Sequence, residues 1–195
     1  MVGQLMTTLS EWGLLGITAM YFLEAGGFPW PIEIPFWLTG EALHAGAHTY
    51  GEMVVFTWLG ALLGSMFTLI LSRLGGRWLV RLLPLGRFRE QAGRTREWVR
   101  RYGLGALVIT RWTNWGIGPT LWLVGLAPVP LGWAFLVAAV NDLAWAFAWV
   151  WLARVLVHAA YGAGLPGWLV AVPGLAAAVA IGARQLWTRG YRPKS

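Results

Sequence analysis

Glu24-Ala-Gly-Gly-Phe-Pro-Trp-Pro-Ile-Glu33-Ile-Pro-Phe-Trp-Leu-Thr-Gly40 decides how this chain is read. Two carboxylates lie among prolines, glycines and tryptophans, inside a sequence otherwise suited to a bilayer. Pro29, Pro31 and Pro35 stand too close together for an ordinary spanning helix, because each removes an amide donor and crowds the preceding turn. Broken backbone at membrane depth survives only where protein or a water-filled cavity surrounds it. Ionisable groups at that depth are costly, which makes a functional role the first expectation. The segment is expected to dip into the membrane, turn and return, carrying Glu24 and Glu33 to a site.

The composition of the 195 residues supports a bilayer setting. The chain is 57% hydrophobic and 12% charged, about half the charged share of a soluble protein. Several apolar runs reach the ~18 to 20 residues that cross a hydrocarbon core. One integral membrane unit over residues 1–195 is expected, with no separate soluble domain. The absence of Cys excludes disulfides, thiolate metal sites and cysteine nucleophiles. The first basic residue is Arg73, so no basic n-region of a cleaved signal peptide is read. The fifteen Trp suit interfacial belts. The net charge of +7 comes from residues flanking apolar segments, which points to anionic headgroups rather than nucleic acid.

Charge is divided along the chain. Residues 1–72 hold Glu11, Glu24, Glu33, Glu41 and Glu52 but no Lys or Arg; residues 73–101 hold nine Arg against Glu90 and Glu97. The positive-inside rule therefore places 73–101, and the basic C-terminus, in the cytoplasm. Hydropathy and breakers divide the chain into a short helix at 10–24, a re-entrant segment at 26–40 and a span at 53–72. A cytoplasmic Arg-rich amphipathic segment at 73–101 follows, then a second re-entrant segment at 104–127 and spans at 131–156 and 167–187. His44 to Glu52 reads as a polar connection. Gly60-x-x-x-Gly64 allows another helix to approach closely. The fold expected is an all-α integral membrane protein: a helical bundle with two re-entrant hairpins facing each other. Two interrupted segments, each followed by an intact span, have the form of a transporter's internal repeat.

Arg111 is the only cation between residues 102 and 153. A guanidinium at membrane depth needs a partner, and a phosphate headgroup matches its fork; the structural alternative is a permanent ion pair with Glu24, Glu33 or Asp142. Desolvation penalises a charged carboxyl, so Glu24 and Glu33 are candidates for proton exchange. Asp142, with Asn141 beside it, is a candidate counter-ion of Arg111 or second proton carrier. Asn114 lies in the same interrupted segment as Arg111. His44-x-x-x-His48 has the spacing of a zinc-binding helix but sits among loop residues without a reliable third ligand, so no metal site and no cofactor is expected. No nucleophile elbow, His-Glu-x-x-His or paired-Asp motif occurs, and an enzyme is not expected.

Four stretches resemble the DedA family, whose shared region is also called the VTT or SNARE-associated domain, over about residues 20–150. Glu24, Pro-x-Pro-x-Glu33 and Gly40 resemble its first re-entrant motif. Gly60-x-x-x-Gly64 with Arg73 and Gly76 resembles the helix that follows. Arg101-Tyr102-Gly103, Arg111-Trp112 and Gly125 resemble the second re-entrant motif, and Phe135, Asn141 and Trp149 the next helix. The family usually has Pro three residues after the motif arginine and a second Arg six residues after it, where this chain has Asn114 and Ile117. An acid that commonly follows the second Gly of the pair is Ser65 here, and a Tyr common four residues later is Leu69.

The resemblance implies a multi-pass protein of the cell membrane that moves a phosphate-bearing lipid, such as undecaprenyl phosphate or a phospholipid. Such a flippase or scramblase would have membrane lipids and protons as partners, with coupling to the proton motive force and self-association both open. Its transport residues would be Arg111, Glu24, Glu33, Asp142, Asn114 and Asn141. The alternative is a proton-coupled transporter of a small cation or osmolyte using the same carboxylates.

Overall fold

Gly13–Ala25 forms the first helix among the described residues, α1, and its end is written in the two glycines that follow. Gly27 takes φ +80°, its amide donates to the Glu24 carbonyl at 3.1 Å, and the Phe28 amide reaches back to Leu23 at 3.1 Å. This pairing closes a helix with a left-handed residue, the conformation glycine adopts without steric cost. The chain is seen in a computed structural model that describes residues 13–28, 31–82, 99, 101–113, 117–127, 129–167 and 169. Most of the expected amphipathic segment at 73–101, most of the last span at 167–187, and Asn114 lie outside the described residues.

The interruption after α1 is shorter than the sequence suggests. Helix α2 occupies Glu33–His44, so regular structure resumes well before Gly40. Two of the three prolines precede it, and Pro35 falls in its first turn, where an amide has no intrahelical acceptor to lose. His44 therefore closes α2, and the connection to the next helix is residues 45–49 rather than 44–52. Thr49 and Glu52 form a capping box: the Thr49 amide donates to Glu52 Oε2 at 2.7 Å, and the Glu52 amide donates to Thr49 Oγ1 at 3.3 Å. The acid read as part of a loop thus initiates helix α3.

Helix α3 spans Tyr50–Leu82, passing Ser72 and carrying the first arginines of the basic run into the same helix. Helices α4 (Gly105–Thr113) and α5 (Ile117–Leu126) are short. Helix α6, Leu131–Gly162, exceeds the expected end at 156 by six residues. Among the described residues, two stretches, Tyr50–Gly75 and Leu131–Gly162, are long and apolar enough to cross a membrane. At 1.5 Å per residue α1, α2, α4 and α5 measure only ~14 to 20 Å, short of the ~30 Å hydrocarbon core. The described residues form helices and no strands.

The long helices α3 and α6 pack together, and the short ones divide between them. Helix α1 lies on α3 and α2 on α6; α4 lies on α6 and α5 on α3. The second short pair repeats the first with its supports exchanged. Close approach rests on small residues. A Cβ on Gly64 would stand 2.5 Å from the Phe22 carbonyl oxygen and 2.8 Å from the Gly26 amide nitrogen, and one on Gly40 would stand 2.7 Å from the Ala153 carbonyl oxygen. Side chains also hold backbone across helices: Thr68 Oγ1 donates to Gly26 at 3.0 Å and Trp58 Nε1 to Ala139 at 2.9 Å. Arg73 Nη2 donates to the Val129 carbonyl, fixing the linker before α6 against α3. Outward, α3 and α6 expose large apolar side chains, among them Leu63, Phe67, Leu136, Val140, Phe147 and Trp151, a distribution suited to hydrocarbon rather than water.

Candidate functional site

Two apolar clusters divide the interior. One gathers Ile17, Tyr21, Ile32, Met53, Val54, Trp145, Ala146 and Val150; the other gathers Leu69, Leu107, Leu121, Val124 and Ala134. The charged residues stand next to members of both clusters: Glu24 follows Tyr21 of the first, Arg111 follows Leu107 of the second by one turn, and Asp142 lies between Ala134 of the second and Trp145 of the first.

Arg111 is 1% exposed, Asp142 2% and Glu24 7%. Arg111 Nη1 donates to Glu24 Oε2 at 3.0 Å and to Oε1 at 3.2 Å. Arg111 Nε stands 3.1 Å from Asp142 Oδ1, a charge contact without hydrogen-bond alignment. Among the described residues, Nη2 meets no hydrogen-bond acceptor. The guanidinium carbon lies 3.8 Å from the Trp145 ring centroid, within reach of the ring's negative face. Asp142 Oδ2 accepts from Ser65 at 3.0 Å. Three helices, α1, α4 and α6, thus supply the ions, and α3 supplies the hydroxyl.

Above Glu24, Tyr21 is fully buried, packs edge-on against Trp145 at 6.0 Å, and shares a 3.4 Å contact with Thr39 Oγ1. Among the described residues, Thr57 Oγ1 and Trp149 Nε1 are buried without a hydrogen-bond partner.

Of the expected residues, Arg111, Glu24 and Asp142 come together. Asn141 sits beside Asp142 but faces another way, accepting from Trp112 Nε1 at 3.0 Å. Glu33 is half-buried at the start of α2, and among the described residues it forms no ion pair with Arg111 or any other cation. Tyr21, Ser65, Thr39 and Trp145 are lining residues that the motif reading missed. Tyr21 and Trp145 lie one turn from Glu24 and Asp142, so helical spacing from the lone acids was a usable signal. The His44-x-x-x-His48 spacing does not form a helical pair, since α2 ends between the two. Among the described residues, no three His, Cys, Asp or Glu side chains converge as a metal site.

The tips of the two interrupted segments touch. A Cβ on Gly118, at the start of α5, would stand 3.2 Å from Gly27 Cα. Beside the ions, a groove of about 500 Å³ opens between α4 and α6, lined by Val108, Trp112, Leu136, Val137, Val140 and Asn141.

Over 150 residues the chain is 23% identical to the uncharacterized membrane protein YbfM of Bacillus subtilis (strain 168), covering 76% of this chain and 93% of that protein. This is a membrane protein. No protein-family model matches the chain, and no solved structure matches it.

Proposed function

We propose that this protein is a lipid transporter of the cell membrane, in which Arg111 receives the phosphate of a lipid such as a phospholipid or undecaprenyl phosphate. The observation that carries the reading is a buried guanidinium, held by two carboxylates, whose Nη2 has no acceptor among the described residues. Such a donor is matched by a phosphate oxygen. In this reading α1–α2 and α4–α5 are two re-entrant hairpins of the DedA kind. The sub-membrane length of all four helices and the contact of Gly27 with Gly118 support it. The basic segment at 73–101 and the C-terminus are assigned to the cytoplasm on the positive-inside rule.

Chemically, Glu24 and Asp142 occupy Arg111 while the site is empty. Protonation of Glu24 removes the charge that holds Nη1, and the guanidinium then turns its donors to the lipid phosphate. The chains stay in the apolar groove between α4 and α6, continuous with the surrounding hydrocarbon. Trp145 holds the guanidinium plane throughout, so the exchange requires rotation of donors rather than travel of the cation. Asn114 and Glu33 belong to the same hairpins, with Glu33 outside the ionic cluster.

One feature favours a second reading. Two acids surround one base, so the fully ionised cluster is negative and suits a proton or small cation as cargo. Both readings are tested in proteoliposomes by following a labelled phospholipid and undecaprenyl phosphate across a series of pH values, with and without an imposed gradient. Lipid translocation that disappears in Arg111→Ala supports the first reading. Cation flux without lipid movement supports the second. Unchanged lipid rates in Arg111→Ala remove Arg111 from the mechanism.

A further inference from the structure

His44 and His158, which the transport reading leaves unused, approach each other at the exposed ends of α2 and α6. Their Nδ1 atoms stand 3.4 Å apart, with ring centroids 5.4 Å apart and planes inclined at 55°. The His44 ring is stacked on Tyr161 at 4.2 Å and 6°. The Tyr161 hydroxyl donates to Glu41, 2.9 Å from Oε2 and 3.2 Å from Oε1, and Trp37 Nε1 donates to Glu41 Oε1 at 2.7 Å. The His44 ring is therefore oriented by a chain of contacts reaching back along its own helix.

The separation of the two nitrogens discriminates between two uses. A well-formed N–H hydrogen bond brings its heavy atoms to about 2.9–3.0 Å, and 3.4 Å is at the weak limit. Two nitrogens bound at about 2.0–2.1 Å to one tetrahedral ion stand about 3.3–3.4 Å apart. The observed spacing is that of two ligands on a common centre.

The geometry points to a two-histidine site for a divalent transition-metal ion such as zinc, bridging His44 Nδ1 and His158 Nδ1 and latching the end of α2 to α6. Imidazole nitrogen selects zinc, copper or nickel over magnesium and calcium, which take oxygen. Two protein ligands leave two positions for water, giving an exchangeable site rather than a structural one. Glu41 and Tyr161 serve as its outer shell: they fix the orientation of His44 without touching the ion. His48 takes no part, because α2 has ended before it. The latch concerns the first short helix pair and is independent of whether lipid is the cargo.

The test uses the full chain in detergent micelles, titrated with zinc alone against a chromophoric chelator, with magnesium as control. One zinc per chain is expected, accompanied by a rise in Tm. Cobalt in its place should give the absorption of tetrahedral coordination. His44→Gln and His158→Gln should each weaken binding by more than the about 10–100-fold that loss of an outer-shell partner costs, while His48→Gln binds as wild type. In the unaltered protein, zinc should protect His44 and His158 from diethyl pyrocarbonate and leave His48 reactive, a readout that does not depend on any variant folding. Absence of saturable zinc, undiminished binding in the His44 and His158 variants, or protection of His48 alone would overturn the site.

Discussion

Replacing Arg111 by Met tests whether the buried cluster is one electrostatic unit. The side chain keeps its apolar stem and loses the cation that contacts both Glu24 and Asp142, whose oxygens stand 3.0 and 3.1 Å from its nitrogens. At an effective permittivity of about 20, unit charges ~4 Å apart attract by about 4 kcal/mol, and this attraction offsets the cost of burying the ionised members of the cluster. Removing one member of a buried pair costs about 3–5 kcal/mol, and the lost contact with Trp145 adds up to ~2 kcal/mol when desolvated. Arg111→Met is therefore expected to lower stability by about 3–5 kcal/mol or slightly more. The triple variant Glu24→Met, Arg111→Met, Asp142→Leu should recover most of that loss, because apolar groups of similar size in place of buried ions are often neutral in stability. Equilibrium unfolding of both variants in mixed micelles, followed by circular dichroism, measures the difference. A single variant within ~1 kcal/mol of wild type, or a triple variant no better than the single one, would refute the reasoning.

Glu33→Gln should leave stability within ~0.5 kcal/mol of wild type and leave lipid translocation unchanged. Glu24→Gln, which removes a charged acceptor of Arg111, should impair both in the same assays. Gly64→Leu would drive a side chain into the Phe22 carbonyl, lift α1 from α3 and cost at least ~1–3 kcal/mol with loss of transport. Gly51→Ala, whose Cβ meets nothing within 4 Å, should be neutral or slightly stabilising by thermal unfolding.

How far the sequence carried depends on which interaction fixed each element. Helices α3 and α6 were legible because hydropathy alone specifies an apolar run long enough to span. The continuation of α3 beyond Ser72 was not, because the arginines were read as the start of a separate surface segment. Yet Arg73, Arg77 and Arg81 are spaced four apart, a helical period continuing from the span. The prolines misled in the opposite direction: near Glu33 they mark a helix start, and only their position within the first turn decides that. Arg111 and Glu24 were visible as lone charges in apolar surroundings. Choosing between Glu24 and Glu33 as the partner was not possible from spacing, because it depends on α1 and α2 packing on different long helices. Tyr21 and Trp145 carry no charge and are signalled only by their one-turn spacing from the lone acids, whereas the place of Ser65 follows only from the tertiary arrangement.

The charge count of the cluster sets the sign of the pH arms in the transport assay. With both carboxylates ionised the cluster sums to −1, with one proton to zero, and with two to +1. An uncompensated charge in a dry interior costs several kcal/mol, so the empty site is expected to rest with one proton shared between Glu24 and Asp142. A lipid phosphate monoanion reaches neutrality only with the two-proton cluster, and its binding takes up a proton. A monovalent cation reaches neutrality with the fully ionised cluster, and its binding releases one. Binding and protonation are reciprocal. Lipid occupancy should therefore rise as pH falls, by up to about tenfold per unit at the limit of one proton per lipid, whereas cation occupancy should fall. If phosphate reached Arg111 from bulk water instead, screening would remove the coupling and leave translocation flat with pH. A flat profile in wild-type protein is accordingly incompatible with phosphate binding inside the buried cluster, whatever the effect of Arg111→Ala on the rate.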